Sequence, residues 1–157
     1  THDPEEAMSI CDKVAVMNDG KIHQIDTPIN LLNNPKTIFV SSFILGNNII
    51  NLKKNGNSYI SCLGEINCSE YLKNTSIKSM SISPKFISIK RSESGDAIVI
   101  SKEFLGEFLI YKVSINGNIL RVRTDINNLL NNGDKCSLSI NTNSYYFLYP
   151  GAYKEYI

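Results

Sequence analysis

The feature of the sequence that most constrains its fold is a series of short apolar runs after Gly46, which alternate with turns rich in asparagine and glycine. The turns include Asn55-Gly56-Asn57 and Asn116-Gly117-Asn118, whose residue types adopt positive φ readily and separate β-strands. Many short strands at this spacing are typical of a small barrel or sandwich. The runs predicted as strands are Ile49 to Leu52, Tyr59 to Leu63, Ile77 to Ile82, Phe86 to Ile89, Ala97 to Ile100, Phe104 to Ile115, Ile119 to Val122, Cys136 to Ile140 and Tyr145 to Leu148.

The residues before this series follow a different pattern, with helix caps and one hairpin. Asp3-Pro4 followed by two glutamates predicts a short helix to about Cys11, because Asp caps a helix and Pro fits its first turn. An Asp19-Gly20 turn then joins two short strands, and Thr27-Pro28 begins a second helix. Pro35 ends that helix. A last helix has an apolar side formed by Ile38, Phe39, Val40, Phe43 and Ile44.

Charge and composition exclude several classes of function. Sixteen basic and fifteen acidic residues leave a net charge of +1, so the chain has no electrostatic footprint for a nucleic-acid backbone. The four cysteines form no Cys-x-x-Cys pair, and no metal-binding residue is predicted. We expect reduced, buried or half-buried thiols in a cytosolic protein. No apolar stretch reaches the ~18 to 20 residues that cross a bilayer, so a soluble chain is expected. Because the first residue is Thr1, we also expect a longer parent polypeptide.

The strongest motif begins Thr1-His2-Asp3-Pro4-Glu5-Glu6-Ala7-Met8 and runs unbroken to Asn18-Asp19-Gly20-Lys21-Ile22. This stretch resembles the histidine switch segment that closes the nucleotide-binding domain of ABC-transporter ATPases. The resemblance implies that the imidazole of His2 hydrogen-bonds the γ-phosphate of ATP and helps to position the attacking water. Judged alone, an exposed histidine beside a helix start is usually only a surface residue. We assign Glu5 and Glu6 to stabilisation of the helix dipole, because acids favour a first helical turn.

The later strands resemble the TOBE domain, an OB-like barrel appended to importer ATPases. The resemblance rests on Ser83-Pro84-Lys85, Phe104-Leu105-Gly106-Glu107-Phe108, the hairpin Ile115 to Val122, and Asn132 to Ile140. Many family members have Arg-Pro-Glu in place of the first motif, so the ion pair which that motif supplies is not expected here. The predicted fold is mainly β with a short α/β N-terminal segment. The two expected domains are the tail of an ABC nucleotide-binding domain, residues 1–46, and a TOBE-type OB-like β-barrel or sandwich, residues 47–157.

Together these resemblances imply the C-terminal or regulatory part of the ATP-hydrolysing subunit of a prokaryotic ABC importer. The chain contains no G-x-x-x-x-G-K-[ST] loop, so by itself it should neither hydrolyse ATP nor bind a cofactor. ATP and Mg²⁺ would be bound by the intact parent. The implied partners are transmembrane permease subunits, a second copy of the ATPase subunit and, indirectly, a solute-binding protein. The implied location is cytoplasmic, on the inner face of the plasma membrane.

The expected solute is iron(III). Phe104-Leu105-Gly106, the following Tyr111-Lys112-Val113 and the terminal Phe147-Leu148-Tyr149-Pro150 resemble iron(III) uptake ATPases most. Polyamine importers come next, followed by sugar, sulfate and molybdate importers.

A function of a different class stays open, in which a stand-alone OB-like module binds a small anion or an oligonucleotide. Arg121 and Arg123 alternate along one strand and so share a face, which gives a small cationic patch. A third alternative is a separately expressed regulatory fragment that dimerises through the barrel and binds no nucleotide. Aromatic residues that serve either as a stacking surface or, as we favour, in the core are Phe104, Phe108, Tyr111, Tyr145, Tyr146 and Phe147.

Overall fold

The computed structural model describes residues 1–72 and 75–157. Within these residues the α-helices are α1 (Pro4–Ile10), α2 (Pro28–Asn33) and α3 (Ile38–Leu45), and short 3-10 helices cover Glu70–Leu72 and Pro84–Phe86. The strands are β1 (Val14–Asn18), β2 (Lys21–Asp26), β3 (Asn48–Asn51), β4 (Lys53–Asn55), β5 (Ser58–Ser61), β6 (Gly64–Asn67), β7 (Ser79–Ile82), β8 (Ile87–Arg91), β9 (Ala97–Phe104), β10 (Phe108–Ile115), β11 (Asn118–Asp125), β12 (Lys135–Ile140), β13 (Tyr145–Tyr149) and β14 (Tyr153–Tyr156).

The N-terminal segment, residues 1–46, is the hairpin of β1 and β2 with three short helices. Asp3 Oδ1 accepts a hydrogen bond from a backbone N–H in the first turn of α1 at 2.9 Å, and Thr27 Oγ1 accepts one in α2 at 3.3 Å. Gly46 follows α3 at φ +62°, in the left-handed conformation that glycine adopts without strain. The predicted helices and hairpin of this segment are confirmed. In the described part of the chain, no helix is both long and apolar enough to cross a bilayer.

The described residues of the β region, which spans 47–157, form three antiparallel sheets. The five-stranded sheet has the order β11-β10-β9-β12-β8, the four-stranded sheet β14-β13-β7-β3, and the three-stranded sheet β4-β5-β6. The two edge strands of the five-stranded sheet, β8 and β11, also approach each other, so this sheet curves toward a barrel. Strand accounts for 48% of the chain and helix for 17%. The predicted fold class is confirmed: a mainly β chain with an OB-like β-sandwich and a short α/β segment in front of it.

The main hydrophobic core lies in the β region. Tyr111 is fully buried there, and its hydroxyl donates to the carbonyl of Asn128 at 2.8 Å and accepts from the N–H of Leu130 at 2.9 Å. Tyr146 and Phe147 are also buried, so core packing is confirmed as the role of these three aromatic residues. The same prediction is wrong for Phe104, which is 64% exposed near the end of β9. A smaller core in the N-terminal segment consists of Val16, Leu31 and Val40.

Several strands differ from the sequence prediction. The run predicted from Phe104 to Ile115 is wrong as one strand, because a turn at Gly106, with φ +79°, separates β9 from β10. Strands β4, β6 and β14 were not predicted. β4 has the sequence Lys-Lys-Asn and is fully exposed, so it lacks the apolar alternation that marks a strand in a sequence.

Two burial predictions are also corrected. In α3 the buried residues are Val40 and Ser41, while Ile38 and Phe43 of the predicted apolar side are exposed. Cys11 is exposed, whereas the side chains of all four cysteines were expected to be buried or half-buried. Cys11 follows the end of α1 and does not pack against the small core of the N-terminal segment.

Candidate functional site

His2, the residue predicted to contact the γ-phosphate of ATP, is exposed immediately before α1. It lines a cavity of about 640 Å³ whose other walls include β1 and the aromatic residues Phe39 and Phe43 of α3. Among the described residues, the imidazole has no hydrogen-bond partner. The ring is therefore accessible to a group outside the chain.

The residues on both sides of His2 are held in place by hydrogen bonds. The Asp3 N–H donates to Thr1 Oγ1 at 3.1 Å, and Thr1 Oγ1 donates to Glu6 Oε2 at 2.8 Å. Asp3 Oδ1 accepts from the N–H groups of Glu5 and Glu6 at 2.9 Å and 3.2 Å. The glutamates lie in the first turn of α1, as predicted. This capped turn fixes the backbone from which the imidazole projects.

The N-terminal segment exposes many apolar side chains for its size. Its buried core contains only Val16, Leu31 and Val40. Cores this small do not support independent domains, and exposed apolar side chains in such number mark contact with another protein surface. The side chains exposed by more than half are Ile10, Met17, Ile22, Ile25 and Ile29.

A buried polar network joins α3 to the four-stranded sheet, and we call it the junction. The hydroxyls of Ser41 in α3 and Ser81 in β7 are hydrogen-bonded to each other, and Asn47 Nδ2 donates to them at 3.3 Å and 3.0 Å. The hydroxyl of Tyr149 donates to the carbonyl of Pro35 at 2.7 Å. Burial raises the pKa of Tyr149 to about 12. These bonds fix the N-terminal segment against the β region.

The junction does not show as a pattern in the sequence, because its partners are distant in the chain. Ser41 and Ser81 are 40 residues apart, and Pro35 and Tyr149 are 114 apart. The one available signal is Ser41-Ser42 inside an otherwise apolar helix, since a hydroxyl on a buried helix face needs a partner.

The predicted cationic patch has mixed charge. Arg121 and Arg123 are both exposed on β11, and the Arg123 guanidinium lies 3.8 Å above the ring centre of Phe108. The adjoining cavity, about 700 Å³, is lined by the acids Glu107 and Asp125 and by the cations Lys85 and Arg123. Equal numbers of acidic and basic side chains line this cavity, so its walls carry no excess positive charge that would favour an anion.

Metal-binding and thiol groups give no further candidate. Among the residues described, no group of three or more His, Cys, Asp or Glu side chains is arranged to hold a metal ion. None of the four cysteines, all of which lie in the described part of the chain, forms a disulfide. Burial raises the pKa of the Cys62 and Cys136 thiols, which disfavours the reactive thiolate.

No known protein family description matches the chain. The chain is similar to the spermidine/putrescine import ATP-binding protein PotA of Bacillus thuringiensis (strain Al Hakam), with 55% identity over 60 residues, which are 38% of this chain and 17% of that protein. PotA of Desulfitobacterium hafniense (strain Y51) is 54% identical over 50 residues, or 32% of this chain and 14% of that protein. The sn-glycerol-3-phosphate import ATP-binding protein UgpC 3 of Agrobacterium fabrum is 37% identical over 99 residues, or 62% of this chain and 28% of that protein.

The homologues of this chain are thus ATP-binding subunits of ABC importers. The chain corresponds to between 14% and 28% of the length of these relatives. The expectation of iron(III) as the solute is not supported, because the relatives are named for polyamines and for glycerol phosphate. The polyamine alternative fits these names better.

Proposed function

We propose that this chain is the C-terminal part of the ATP-binding subunit of an ABC importer. Residues 1–46 are the end of its nucleotide-binding domain, and residues 47–157 are a TOBE-type regulatory domain. The observation that carries the proposal is the 55% identity to an import ATP-binding protein. The exposed apolar side chains of the N-terminal segment support it, since the remainder of a nucleotide-binding domain would cover them.

In this proposal His2 acts on nucleotide that the rest of the subunit binds. ATP and Mg²⁺ are held by the parent protein, and the exposed imidazole donates to the γ-phosphate from the capped start of α1. The subunit pairs with a second copy and with transmembrane permease subunits. It works on the cytoplasmic face of the membrane, and a solute-binding protein delivers the solute from the other side.

The solute proposed is a polyamine. Relatives that are 55% and 54% identical to the matched parts of this chain are named for spermidine and putrescine import. Glycerol 3-phosphate is the alternative solute. The relative named for its import aligns with more of this chain, 62%, but at a lower identity of 37%.

The test begins with the full-length protein encoded by the gene. We expect a phosphate-binding loop ahead of Thr1 and ATP hydrolysis that needs Mg²⁺. A full-length protein that binds no ATP would overturn the proposal in favour of a stand-alone module. Cells lacking the gene should lose uptake of labelled spermidine while retaining uptake of labelled iron(III). Loss of glycerol 3-phosphate uptake with normal spermidine uptake would contradict the polyamine assignment but not the assignment to an ABC importer.

A further inference from the structure

A second cavity, of about 500 Å³, lies where the N-terminal segment meets the four-stranded sheet. The N-terminal segment supplies Lys36 and the first residues of α3 to its walls, and the β region supplies Lys78, Ser79 and the turn after Tyr149. Its volume is within the range of about 300 to 1,000 Å³ that small-molecule sites occupy. It is separate from the cavity beside His2.

The electrostatic features of this cavity favour an anion. The side chains of Lys36 and Lys78 are exposed on its two sides. No acidic side chain from the described part of the chain lines it. Asp26, whose carboxylate interacts with Lys36, is already hydrogen-bonded by Asn30 Nδ2 at 2.8 Å.

The start of α3 adds backbone donors. Thr37 caps this helix by accepting from the Val40 N–H at 3.2 Å. The N–H groups of Ile38 and Phe39 belong to the first turn and have no acceptor within the helix. They lie at the positive end of the helix dipole, where phosphate groups bind in other proteins.

An independent observation comes from Ser79, which is only 3% exposed. Its hydroxyl is buried and has no hydrogen-bond partner among the residues that the structure describes. Ser81, two residues further along β7, contacts Ser41 of α3. Because alternate residues of a strand share a face, the Ser79 side chain projects to the same side, where the cavity lies. An unpaired buried hydroxyl is unfavourable, and a ligand oxygen at this point would satisfy it.

Apolar groups complete the walls and indicate that the ligand carries more than a phosphate. The ring of Phe39 lies against His23 with a centroid distance of 4.9 Å, and the His23 Nδ1 is 3.2 Å from Thr37 Oγ1, so this wall is fixed. Tyr149 is fixed by its bond to Pro35. We propose that this cavity binds a small organic phosphate, with the phosphoryl group between Lys36, Lys78 and the start of α3, and the organic part against Phe39.

Such a ligand would contact both the N-terminal segment and the β region, and would therefore strengthen the contact between them. A ligand that binds the folded chain but not the unfolded chain also raises the free energy of unfolding by mass action. The inference does not depend on ATP hydrolysis. Residues 1–157 contain no phosphate-binding loop, so binding by this chain is distinguishable from nucleotide binding by the parent.

The test uses the full chain and phenyl phosphate as the probe. Isothermal titration and backbone amide NMR should detect saturable binding, with the largest shifts at Ile38, Phe39 and Ser79. Inorganic phosphate should bind more weakly, and phenol should not shift these amides. If inorganic phosphate binds with equal affinity, the proposal that the ligand is an organic phosphate is wrong. If phenyl phosphate shows no saturable binding, the proposal that the cavity is a binding site is wrong.

Two variants distinguish binding in this cavity from non-specific electrostatic attraction to surface lysines. Lys78→Gln should weaken phenyl phosphate binding about tenfold, the effect of losing one charge-assisted hydrogen bond. Lys90→Gln removes an exposed lysine of β8 outside the cavity and is the matched control. Thermal unfolding without ligand checks that both variants fold. Equal weakening by the two substitutions would show non-specific attraction and overturn the proposal.

Discussion

The side-chain amide of Asn48 pairs with the backbone of Arg121 as a neighbouring strand would. Asn48 Nδ2 donates to the Arg121 carbonyl at 2.8 Å, and the Arg121 N–H donates to Asn48 Oδ1 at 2.7 Å. Arg121 lies on β11, the edge of the five-stranded sheet, and Asn48 begins β3 of the four-stranded sheet. One buried amide therefore joins the two sheets and satisfies an edge that would otherwise be open.

Asn48→Ala should lower the free energy of unfolding by about 1 to 3 kcal/mol, because it leaves a donor and an acceptor of Arg121 without partners. Urea denaturation of the chain measures the change. Asn51→Ala, at the exposed end of the same strand, is the control and should change stability by less than about 0.5 kcal/mol. Equal effects of the two substitutions would mean that the amide pairing contributes nothing specific.

The Ser41 and Ser81 hydroxyls should show energetic coupling. We expect the double mutant Ser41→Ala/Ser81→Ala to be less destabilised than the sum of the single mutants, with a coupling energy of about 1 kcal/mol, because each single mutant leaves one buried hydroxyl with fewer partners. Ser42→Ala is the control for helix propensity, since Ser42 is only half-buried on the same helix. Additive effects in the cycle would contradict a direct bond across the junction.

Stability should decline as pH rises between about 10 and 12. Burial raises the pKa of Tyr146 and Tyr149 from the usual 10 to about 12. Above pH 10 the unfolded chain loses these protons while the folded chain keeps them, so the unfolding free energy falls by about 1.4 kcal/mol per pH unit for each group. The stabilisation is complete below pH 10 and is lost as the pH rises through the pKa that the two tyrosines have in the folded chain.

Tyr149→Phe isolates one of these two groups. The variant should be less stable near neutral pH, because it loses the bond to the Pro35 carbonyl, but its stability should fall less steeply above pH 10. Urea denaturation of both proteins at several values between pH 9 and 12 gives the two slopes. Identical slopes would show that the Tyr149 hydroxyl titrates alike in the folded and unfolded chains.

Gly95→Ala should destabilise the β region strongly. An ideal Cβ at Gly95 would lie 2.1 Å from the carbonyl oxygen of Cys136, a backbone atom that cannot move without disturbing β12. We expect a loss of about 1 to 3 kcal/mol in unfolding free energy, as for other overpacked sites. Ser94→Ala, at the neighbouring exposed position, is the control in the same thermal unfolding measurement.

His2→Ala is tested in the full-length subunit. Under the proposed role of His2, in which the imidazole contacts the γ-phosphate more strongly as charge redistributes, the substitution should leave ATP binding nearly unchanged and reduce turnover by about 10² or more. Lys21→Ala, at the exposed start of β2, is the control. Equal turnover in the His2→Ala and wild-type proteins would remove His2 from the mechanism.

The sequence by itself determined the elements that depend on near neighbours. Asp3, Thr27 and Gly46 mark helix ends through contacts within a few residues, and the asparagine-glycine turns separate most of the strands. The mainly β class follows from this spacing. The stretch from Thr1 to Ile22 also carried the resemblance to ABC ATPases, because a contiguous motif can be recognised without its tertiary surroundings.

The tertiary structure alone decided the order of the sheets, the junction and the second cavity. The partners Asn48 and Arg121 are 73 residues apart, and no local preference selects one asparagine among many for that role. The polar strand β4 and the buried face of α3 depend likewise on neighbours supplied by distant parts of the chain. Long-range pairing is decided by which surfaces bury together and which polar groups are satisfied there, and a local sequence pattern does not contain that information.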